Sequence, residues 1–188
     1  REMAARLVNA QKPVLSLNGN SIALAGPDFL KIASQLGCPV EINIFYRTPE
    51  RMGALLANLK LAKSNLGLDV EILGGMPDAR IPNLEGPRGS CHQDGIFSAD
   101  VVLVPLEDGD RCKALRDMGK EVLVVDLNPL SRSAKFATVT AVDEVTRVAK
   151  NLIQLISERP QSTNYNNEKG LQDALNHIVN TMSTQNNQ

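Results

Sequence analysis

Arginines recur in the polar segments that follow the apolar runs of this sequence. Arg47 comes shortly after "PVEINIF", Arg111 shortly after "ADVVLVPL", and Arg132 shortly after "EVLVVD". A guanidinium group is a planar fork that binds phosphate or carboxylate through two parallel hydrogen bonds. Loops are polar in any folded protein, but this general polarity does not explain why arginine in particular recurs after the apolar runs. The residues therefore favour a crevice that takes anionic ligands.

Other candidate residues occupy the same kind of position. Asn18 and Asn20 flank a glycine after the first apolar run, and form either a tight turn or a ligand-facing backbone. Arg47 precedes Thr48, a good N-cap, so an anion bound there would also gain from the helix dipole. Arg51 follows four residues later and would share a helix face with Arg47.

Two segments leave their chemistry open. Glu107, Asp108 and Asp110 form either a solvated turn or a set of oxygen ligands for a magnesium ion, with Asp108 and Asp110 the candidate ligands. Arg80 and Arg88 lie in a Gly- and Pro-rich stretch at 74–95. Long loops of this kind are often functional, and this one could act as a mobile lid.

The elements that would position these side chains alternate along the chain. Apolar runs typical of buried strands lie at 13–17, 39–45, 69–73, 99–106, 121–126 and 137–143. Stretches typical of helices lie at 1–10, 27–37, 49–65, 109–119 and 144–158. The alternation predicts an α/β fold with a doubly wound, mostly parallel sheet that is covered by helices on both faces. In such a sheet, ligands bind beyond the carboxyl ends of the strands.

The domain organisation follows from the same pattern. We predict one α/β domain over residues 1–158, followed by a polar, Asn- and Gln-rich tail over 159–188 that could form one helix and is otherwise partly disordered. His177 in the tail is read as an exposed helical residue and not as a ligand.

The bulk composition excludes several classes of protein. The 188 residues carry a net charge of −1 and contain no Trp, whereas nucleic-acid binding usually shows as a basic excess. No apolar run approaches the roughly 20 residues that span a membrane. The three cysteines match no zinc or redox motif. We therefore predict a cytoplasmic protein with neither a nucleic-acid nor a membrane partner.

The motifs that are missing narrow the chemistry. The sequence has no GxxxxGK[ST], no G-x-G-x-x-G after the first strand and no GxSxG, and its two histidines do not suggest a catalytic triad. Without a protein nucleophile, the mechanism should rest on positioning and on charge stabilisation, as phosphoryl and nucleotidyl transfer do.

Several long segments, taken together, carry a family resemblance. They are "SLNGN", "EINIFYRTPER", "PDARIPNLEGPRG", "GIFSADVVLVPLEDGDR" and "VVDLNPLSRSAKFATVTAVDEVTR". In this order they closely resemble the archaeal 4-phosphopantoate–β-alanine ligase family, also called phosphopantothenate synthetase, over about residues 10–157. The resemblance implies a Rossmann-like homodimer. It also implies a reaction of coenzyme A biosynthesis in which ATP, 4-phosphopantoate and β-alanine give AMP, diphosphate and 4′-phosphopantothenate through an acyl adenylate. We expect Mg²⁺ to accompany ATP as a cofactor.

The resemblance also assigns residues. The positions that match the ATP-contacting segments of the family are Asp126, Leu127, Asn128, Arg132, Ser133, Asp143 and Glu144. We expect Asn at the position of Glu144 in many relatives. From their place at the crevice, the candidates for binding phosphopantoate are Asn18, Asn20, Arg47 and, more weakly, Arg80. Arg47 and Arg132 are the candidates for a catalytic role.

One departure from the family leaves alternatives open. Family members carry a longer N-terminal region with further ATP-contacting residues, and this chain begins in a helical pattern, "REMAARLVNA", without that region. The first alternative function is a non-catalytic module that binds nucleotides or anions. The second is a nucleotidyl- or phosphotransferase that acts on another hydroxy acid.

Overall fold

Six parallel strands form the central sheet of the molecule. The computed structural model describes residues 1–185. The described residues form eight strands, of which β4 and β5 make a separate two-stranded sheet. In chain order the eight strands are β1 (Pro13–Leu17), β2 (Val40–Ile42), β3 (Ile72–Leu73), β4 (Ala79–Arg80), β5 (Ser90–Cys91), β6 (Val101–Pro105), β7 (Glu121–Val125) and β8 (Val139–Ala141). The central sheet has the order β3-β2-β1-β6-β7-β8, and each neighbouring pair is parallel. The predicted doubly wound sheet is confirmed.

Seven α-helices in the described residues surround this sheet. They are α1 (Glu2–Asn9), α2 (Gly19–Leu36), α3 (Pro49–Leu66), α4 (Gly109–Asp117), α5 (Arg132–Phe136), α6 (Val145–Ser157) and α7 (Asn167–Gln185). Helices α1, α2, α3 and α6 cover one face, and α4 with the connection 79–99 covers the other. Both faces are buried, so alternate strand residues point into two separate cores: Leu103 and Leu123 into the first, Val102 and Val122 into the second.

Local sequence explains where the central helices begin and end. The side chain of Asn18 accepts hydrogen bonds from the backbone N–H groups of Asn20 and Ser21, and the side chain of Ser21 accepts one from the backbone N–H of Asn18. This capping box starts α2 at Gly19, so the predicted start near Pro27 is wrong. Pro27 instead follows a kink at Ala25 inside the same helix, which suits a residue without an N–H donor.

Helix α3 begins as the sequence predicts. Thr48 accepts from the N–H of Arg51, Pro49 occupies the first helical position, and Gly67 ends the helix in the left-handed conformation. Arg47 therefore lies before the helix and does not share a helical face with Arg51.

The connection between β3 and β6 has more structure than its composition suggests. Strands β4 and β5 pair antiparallel, with Ala79 opposite Cys91, and a turn of π-helix follows at Gln93–Phe97. The short helix α5, directly after the β7 loop, was also not predicted.

The C-terminal segment is anchored to the edge of the sheet. The Asn167 side chain accepts a hydrogen bond from the N–H of Thr140 in β8 (2.8 Å) and donates one to the carbonyl of Ala134 (2.8 Å). Helix α7 starts at this anchor, and residues 186–188 of the predicted tail lie outside the described residues. Across residues 1–185, no helix has both the length and the apolar character that crossing a membrane requires.

Candidate functional site

The strand order reverses between β1 and β6, and a crevice opens beyond their carboxyl ends. From β1 the chain continues into α2 on one face, and from β6 it continues into α4 on the other face. Ligands bind at such a switch point in open α/β sheets. A cavity of about 170 Å³ lies here, which we call the switch-point crevice. Its lining residues are Asn18, Gly19, Asn20, Ile44, Phe45, Tyr46, Arg51, Arg88 and Leu106.

Asn18 holds the two sides of the switch point together. Its Nδ2 donates to the carbonyls of Pro105 (3.1 Å) and Leu106 (2.9 Å), while its Oδ1 caps α2. Leu106 has a positive φ of 56°, a strained conformation for a branched side chain, and the bond from Asn18 helps to hold it. The predicted site residue Asn18 thus lies at the crevice with its amide already bonded to protein groups.

A buried ion cluster forms the floor beside the crevice. The carboxylate of Glu107 is 1% exposed and accepts hydrogen bonds from Arg88 and from Arg111, which is fully buried. Arg88 Nε also donates to Asn43 Oδ1 (2.9 Å), and Arg111 donates to the hydroxyl of Ser16 (2.9 Å). The interpretation of Glu107 as part of a solvated turn is therefore wrong, because burial of a carboxylate requires these partners.

Arg88 carries the long connection into this cluster. It extends from the turn at Pro87–Gly89 and reaches the groups that follow β2 and β6. Burial lowers the pKa of Arg88, and the charge of Glu107 opposes that shift. The segment 74–95 is thus tied to the switch point by a buried charge.

A second buried carboxylate anchors the other end of the same connection. Glu41, in the middle of β2, is 1% exposed and accepts from the N–H groups of His92 (3.0 Å) and Ile96 (2.7 Å). Burial raises the pKa of the Glu41 carboxyl to about 7, against the effect of these donors and of the Arg111 and Arg47 charges. A Cβ at Gly95 would lie 2.1 Å from Glu41 Oε2, so only glycine fits there.

Sequence reasoning missed Glu41 and Asn43 as organising residues. The available signal was a charged residue inside the apolar run "PVEINIF", because Glu is almost never fully buried without partners.

The loop after β7 is ordered by Asp126. Its Oδ2 accepts from the hydroxyls of Ser131 (2.6 Å) and Ser133 (2.8 Å), and its Oδ1 accepts from the N–H of Asn128 (2.9 Å). Leu127 and Asn128 are exposed at the tip of this turn. The structure therefore brings together Asp126, Asn128 and Ser133, three of the predicted nucleotide-binding residues.

Arg132 extends from the first position of α5. Its Nη2 donates to Asp110 at 2.5 Å, and both side chains are more than 60% exposed. A Cβ at Gly109 would lie 2.3 Å from Arg132 Cβ, so the start of α4 packs directly against α5. Arg132 and Asp110, which the sequence predicts as parts of two separate sites, are therefore in direct contact in the structure.

The end of β8 carries the last predicted pair. Asp143 forms an ion pair with Arg147, four residues away, and Glu144 caps α6 by accepting from the N–H groups of Thr146 (2.9 Å) and Arg147 (3.1 Å). These residues lie at the same carboxyl edge as the Asp126 loop, one strand further out, because β8 neighbours β7.

The remaining predicted arginines bind loop carbonyls. The guanidinium of Arg47 donates to the carbonyl of Gly74, and that of Arg80 donates to the carbonyls of Leu84 (3.0 Å) and Gly86 (3.2 Å). Neither lines the switch-point crevice.

The two acidic residues predicted as metal ligands, Asp108 and Asp110, each face a cationic side chain. Asp108 caps α4 by accepting from the N–H of Arg111 (2.8 Å) and lies 3.7 Å from Arg88, while Asp110 pairs with Arg132. In the part of the chain that the structure describes, no three His, Cys, Asp or Glu side chains converge to hold a metal ion.

The fold and the rim define a Rossmann-like α/β protein with cationic and polar groups at the carboxyl ends of its strands. The model of the phosphopantothenate/pantothenate synthetase family matches residues 1–185, and the chain belongs to this family. The match also covers α7, so the likeness extends past the segments that first suggested it.

Curated relatives agree with the family match, and each is named 4-phosphopantoate–β-alanine ligase. The Thermococcus kodakarensis protein is 43% identical over 187 residues, which cover 95% of this chain and 70% of the relative. The Methanospirillum hungatei protein is 46% identical over 158 residues, covering 84% of this chain and 62% of the relative. The Methanosarcina mazei protein is 39% identical over 193 residues, covering 98% of this chain and 74% of the relative.

Proposed function

We propose that this protein condenses 4-phosphopantoate with β-alanine to 4′-phosphopantothenate, using ATP and releasing AMP and diphosphate, in coenzyme A biosynthesis. The observation that carries the proposal is family membership over residues 1–185, together with relatives of that name at 39–46% identity. The rim of the sheet supports it, because the substrates carry a triphosphate, a phosphate and two carboxylates.

The chemistry needs no protein nucleophile. A carboxylate oxygen of phosphopantoate attacks the α-phosphorus of ATP, the P–O bond to diphosphate breaks, and an acyl adenylate forms. The neutral amine of β-alanine then attacks the acyl carbon, loses a proton and displaces AMP. The protein's contribution is to hold the reactants in line and to stabilise the charge that develops on phosphate oxygens.

We assign ATP to the edge beyond β7 and β8. The exposed Arg132 guanidinium is suited to phosphate oxygens, and it would exchange its exposed ion pair with Asp110, a weak interaction, for a phosphate contact. The turn ordered by Asp126 presents Asn128 to solvent, where its amide could bind the base or the ribose. The further nucleotide contacts proposed are Leu127, Ser133, Asp143 and Glu144.

For phosphopantoate we retain Asn18, Asn20, Arg47 and Arg80 as proposed contacts, with Arg47 and Arg132 in catalytic roles. The side chain of Asn20 is exposed at the switch-point crevice. Arg47 and Arg80 would have to leave the loop carbonyls that they bind in this structure.

Three further properties belong to the proposal. Magnesium would enter with ATP, coordinated mainly by the phosphates, because Asp108 and Asp110 are directed at cationic partners. The enzyme would act as a homodimer and in the cytoplasm, as a reduced biosynthetic protein with three free cysteines.

The experiment is an assay of the full-length protein with ATP, 4-phosphopantoate and β-alanine, in which adenine nucleotides are separated and quantified. We expect AMP to form in a one-to-one ratio with 4′-phosphopantothenate. Release of ADP, or turnover that is independent of β-alanine, would contradict the ligase. Binding of ATP without turnover would favour a non-catalytic module.

A further inference from the structure

We propose that Asn167, at the start of α7, is a positioning residue that holds α5 in the orientation in which Arg132 and Ser133 bind ATP. The proposal rests on the function proposed above, because it uses the assignment of ATP to the edge beyond β7 and β8. It gives a role in the reaction to the C-terminal segment 159–185, whose composition by itself suggests only a polar tail.

Helix α5 is too short to fix its own orientation. It has five residues, Arg132–Phe136, whereas an isolated helix of fewer than roughly 12–15 residues is marginal in water. The carbonyl of Ala134 belongs to the last turn and has no partner inside the helix, because the N–H of Thr138 donates to Val122 instead. The orientation of α5 must therefore come from its neighbours.

Two side chains from outside α5 bond the carbonyl of Ala134. Asn167 Nδ2 donates to it at 2.8 Å and Thr140 Oγ1 donates to it at 2.9 Å. The other end of the Asn167 amide accepts from the N–H of Thr140 in β8 at 2.8 Å. Ala134 is fully buried, so water does not replace either donor. Asn167 thus joins α7, the edge strand of the sheet and α5 through one amide group.

The residue that Asn167 bonds is next to the proposed nucleotide contacts. Ala134 follows Arg132 and Ser133 directly. The N–H of Ala134 donates to the hydroxyl of Ser131 (3.0 Å), and that hydroxyl donates to Asp126 (2.6 Å). Both polar groups of the Ala134 backbone are therefore fixed, one by the loop after β7 and the other from α7 and β8. A shift of this residue would move the side chains on either side of it.

The start of α7 is itself firmly placed, so it can act as a support. The hydroxyl of Thr163 donates to Glu2 in α1 at 2.8 Å. Tyr165 packs against the first core, and a Cβ at Gly170 would lie 2.2 Å from its hydroxyl oxygen. Leu171 is 8% exposed. The chain before and after Asn167 is thus packed onto the body of the domain.

Thr163 provides a matched control for the position of Asn167. Both residues anchor the C-terminal segment by polar bonds, but the bonds of Thr163 go to Glu2 and Arg6 in α1. Loss of the Thr163 hydroxyl therefore loosens the segment without removing a bond to α5. A role of the segment in stability alone would make the two substitutions equivalent.

The test compares Asn167→Ala with Thr163→Ala in the full-length protein. Calorimetry measures the Kd for ATP, and the assay measures kcat and the KM of each substrate. We expect Asn167→Ala to raise the Kd and the KM for ATP by roughly three- to tenfold, the effect of losing one uncharged hydrogen bond, and to change the KM for 4-phosphopantoate by less than about twofold. Thr163→Ala should leave the affinity for ATP at the wild-type value.

A second variant, Thr140→Val, keeps the shape of the side chain and removes the other donor to the Ala134 carbonyl. It should raise the KM for ATP in the same direction as Asn167→Ala. If Asn167→Ala does not fold, Thr140→Val decides the question, and wild-type affinity for ATP in that variant overturns the proposal.

Three other results would overturn it: unchanged affinity for ATP in folded Asn167→Ala, an equal loss in Thr163→Ala, or an equal rise in the KM of every substrate. Failure of the proposed function is a separate outcome. Wild-type protein that binds ATP but forms no AMP would contradict the ligase, and the Kd values for ATP would still test Asn167.

Discussion

Replacing Glu107 by Gln tests whether the buried ion cluster holds the switch point together. The substitution keeps the size of the side chain but removes its charge and places an amide NH₂ against a guanidinium. Arg111 is fully buried and Arg88 is 13% exposed, so water cannot replace the lost carboxylate.

The magnitude follows from this burial. Breaking a buried ion pair by neutralising one partner typically costs about 3–5 kcal/mol, because the other charge remains desolvated. Asp108, at 3.7 Å from Arg88, and the remaining amide oxygen moderate the loss. We therefore expect the free energy of unfolding to fall by about 3 kcal/mol, which corresponds to a drop of about 6–12 °C in Tm for a domain of this size.

Urea unfolding at pH 7, followed by circular dichroism, measures this change. The matched control is Asp117→Asn, which breaks the exposed pair between Lys113 and Asp117 (2.6 Å, with side chains 52% and 60% exposed). An exposed pair of this kind contributes at most about 1 kcal/mol. If Glu107→Gln costs no more than this control, the cluster does not stabilise the crevice and the reasoning is refuted.

Two further predictions concern buried contacts of the same rim. Burial raises the pKa of the Glu41 carboxyl from 4.5 to about 7, so as the pH rises the unfolded chain loses this proton at a lower pH than the folded protein does. The free energy of unfolding should therefore fall by about 3 kcal/mol between about pH 4.5 and pH 7 and then level off. Glu41→Gln should lack that component, and denaturant unfolding curves with the same pH dependence in both proteins would contradict it. Gly109→Ala should displace α5, destabilise the fold by about 1–3 kcal/mol and raise the KM for ATP through Arg132, because its Cβ would lie 2.3 Å from Arg132 Cβ. Gly53→Ala, which meets no atom within 4 Å in α3, should instead be stabilising by about 0.5–1 kcal/mol; equal effects of the two substitutions in thermal unfolding would refute the close packing.

The parallel sheet was predictable because its strands are buried on both faces. That burial demands continuous apolar runs such as "ADVVLVPL" and "EVLVVD", and these survive as β6 and β7. Helix α3 was predictable because Thr48 and Pro49 are strong local signals for a helix start. In each case the determinant is local in the sequence.

The start of α2 was predicted eight residues too late. Pro27 resembles a first helical position, yet the capping box formed by Asn18 and Ser21 starts the helix earlier, and the chain accommodates the proline at a kink. Local signals compete here, and the tertiary fold decides between them.

The partners of the site residues depend on long-range contacts and so were not predictable. Arg88 meets Asn43 across 45 positions, and Glu41 meets Ile96 across 55. Nothing in the spacing of these residues indicates such pairs, because they form only when the connection between β3 and β6 folds back over the strand ends.

The most direct test of the proposed reaction is an isotope transfer. The full-length protein is supplied with ATP, β-alanine and 4-phosphopantoate that carries ¹⁸O in its carboxylate, and the products are analysed by mass spectrometry. If the carboxylate attacks the α-phosphate and the amine later displaces AMP, one ¹⁸O atom appears in each AMP formed. Unlabelled AMP, or label in inorganic phosphate accompanied by ADP, would contradict the acyl-adenylate ligase.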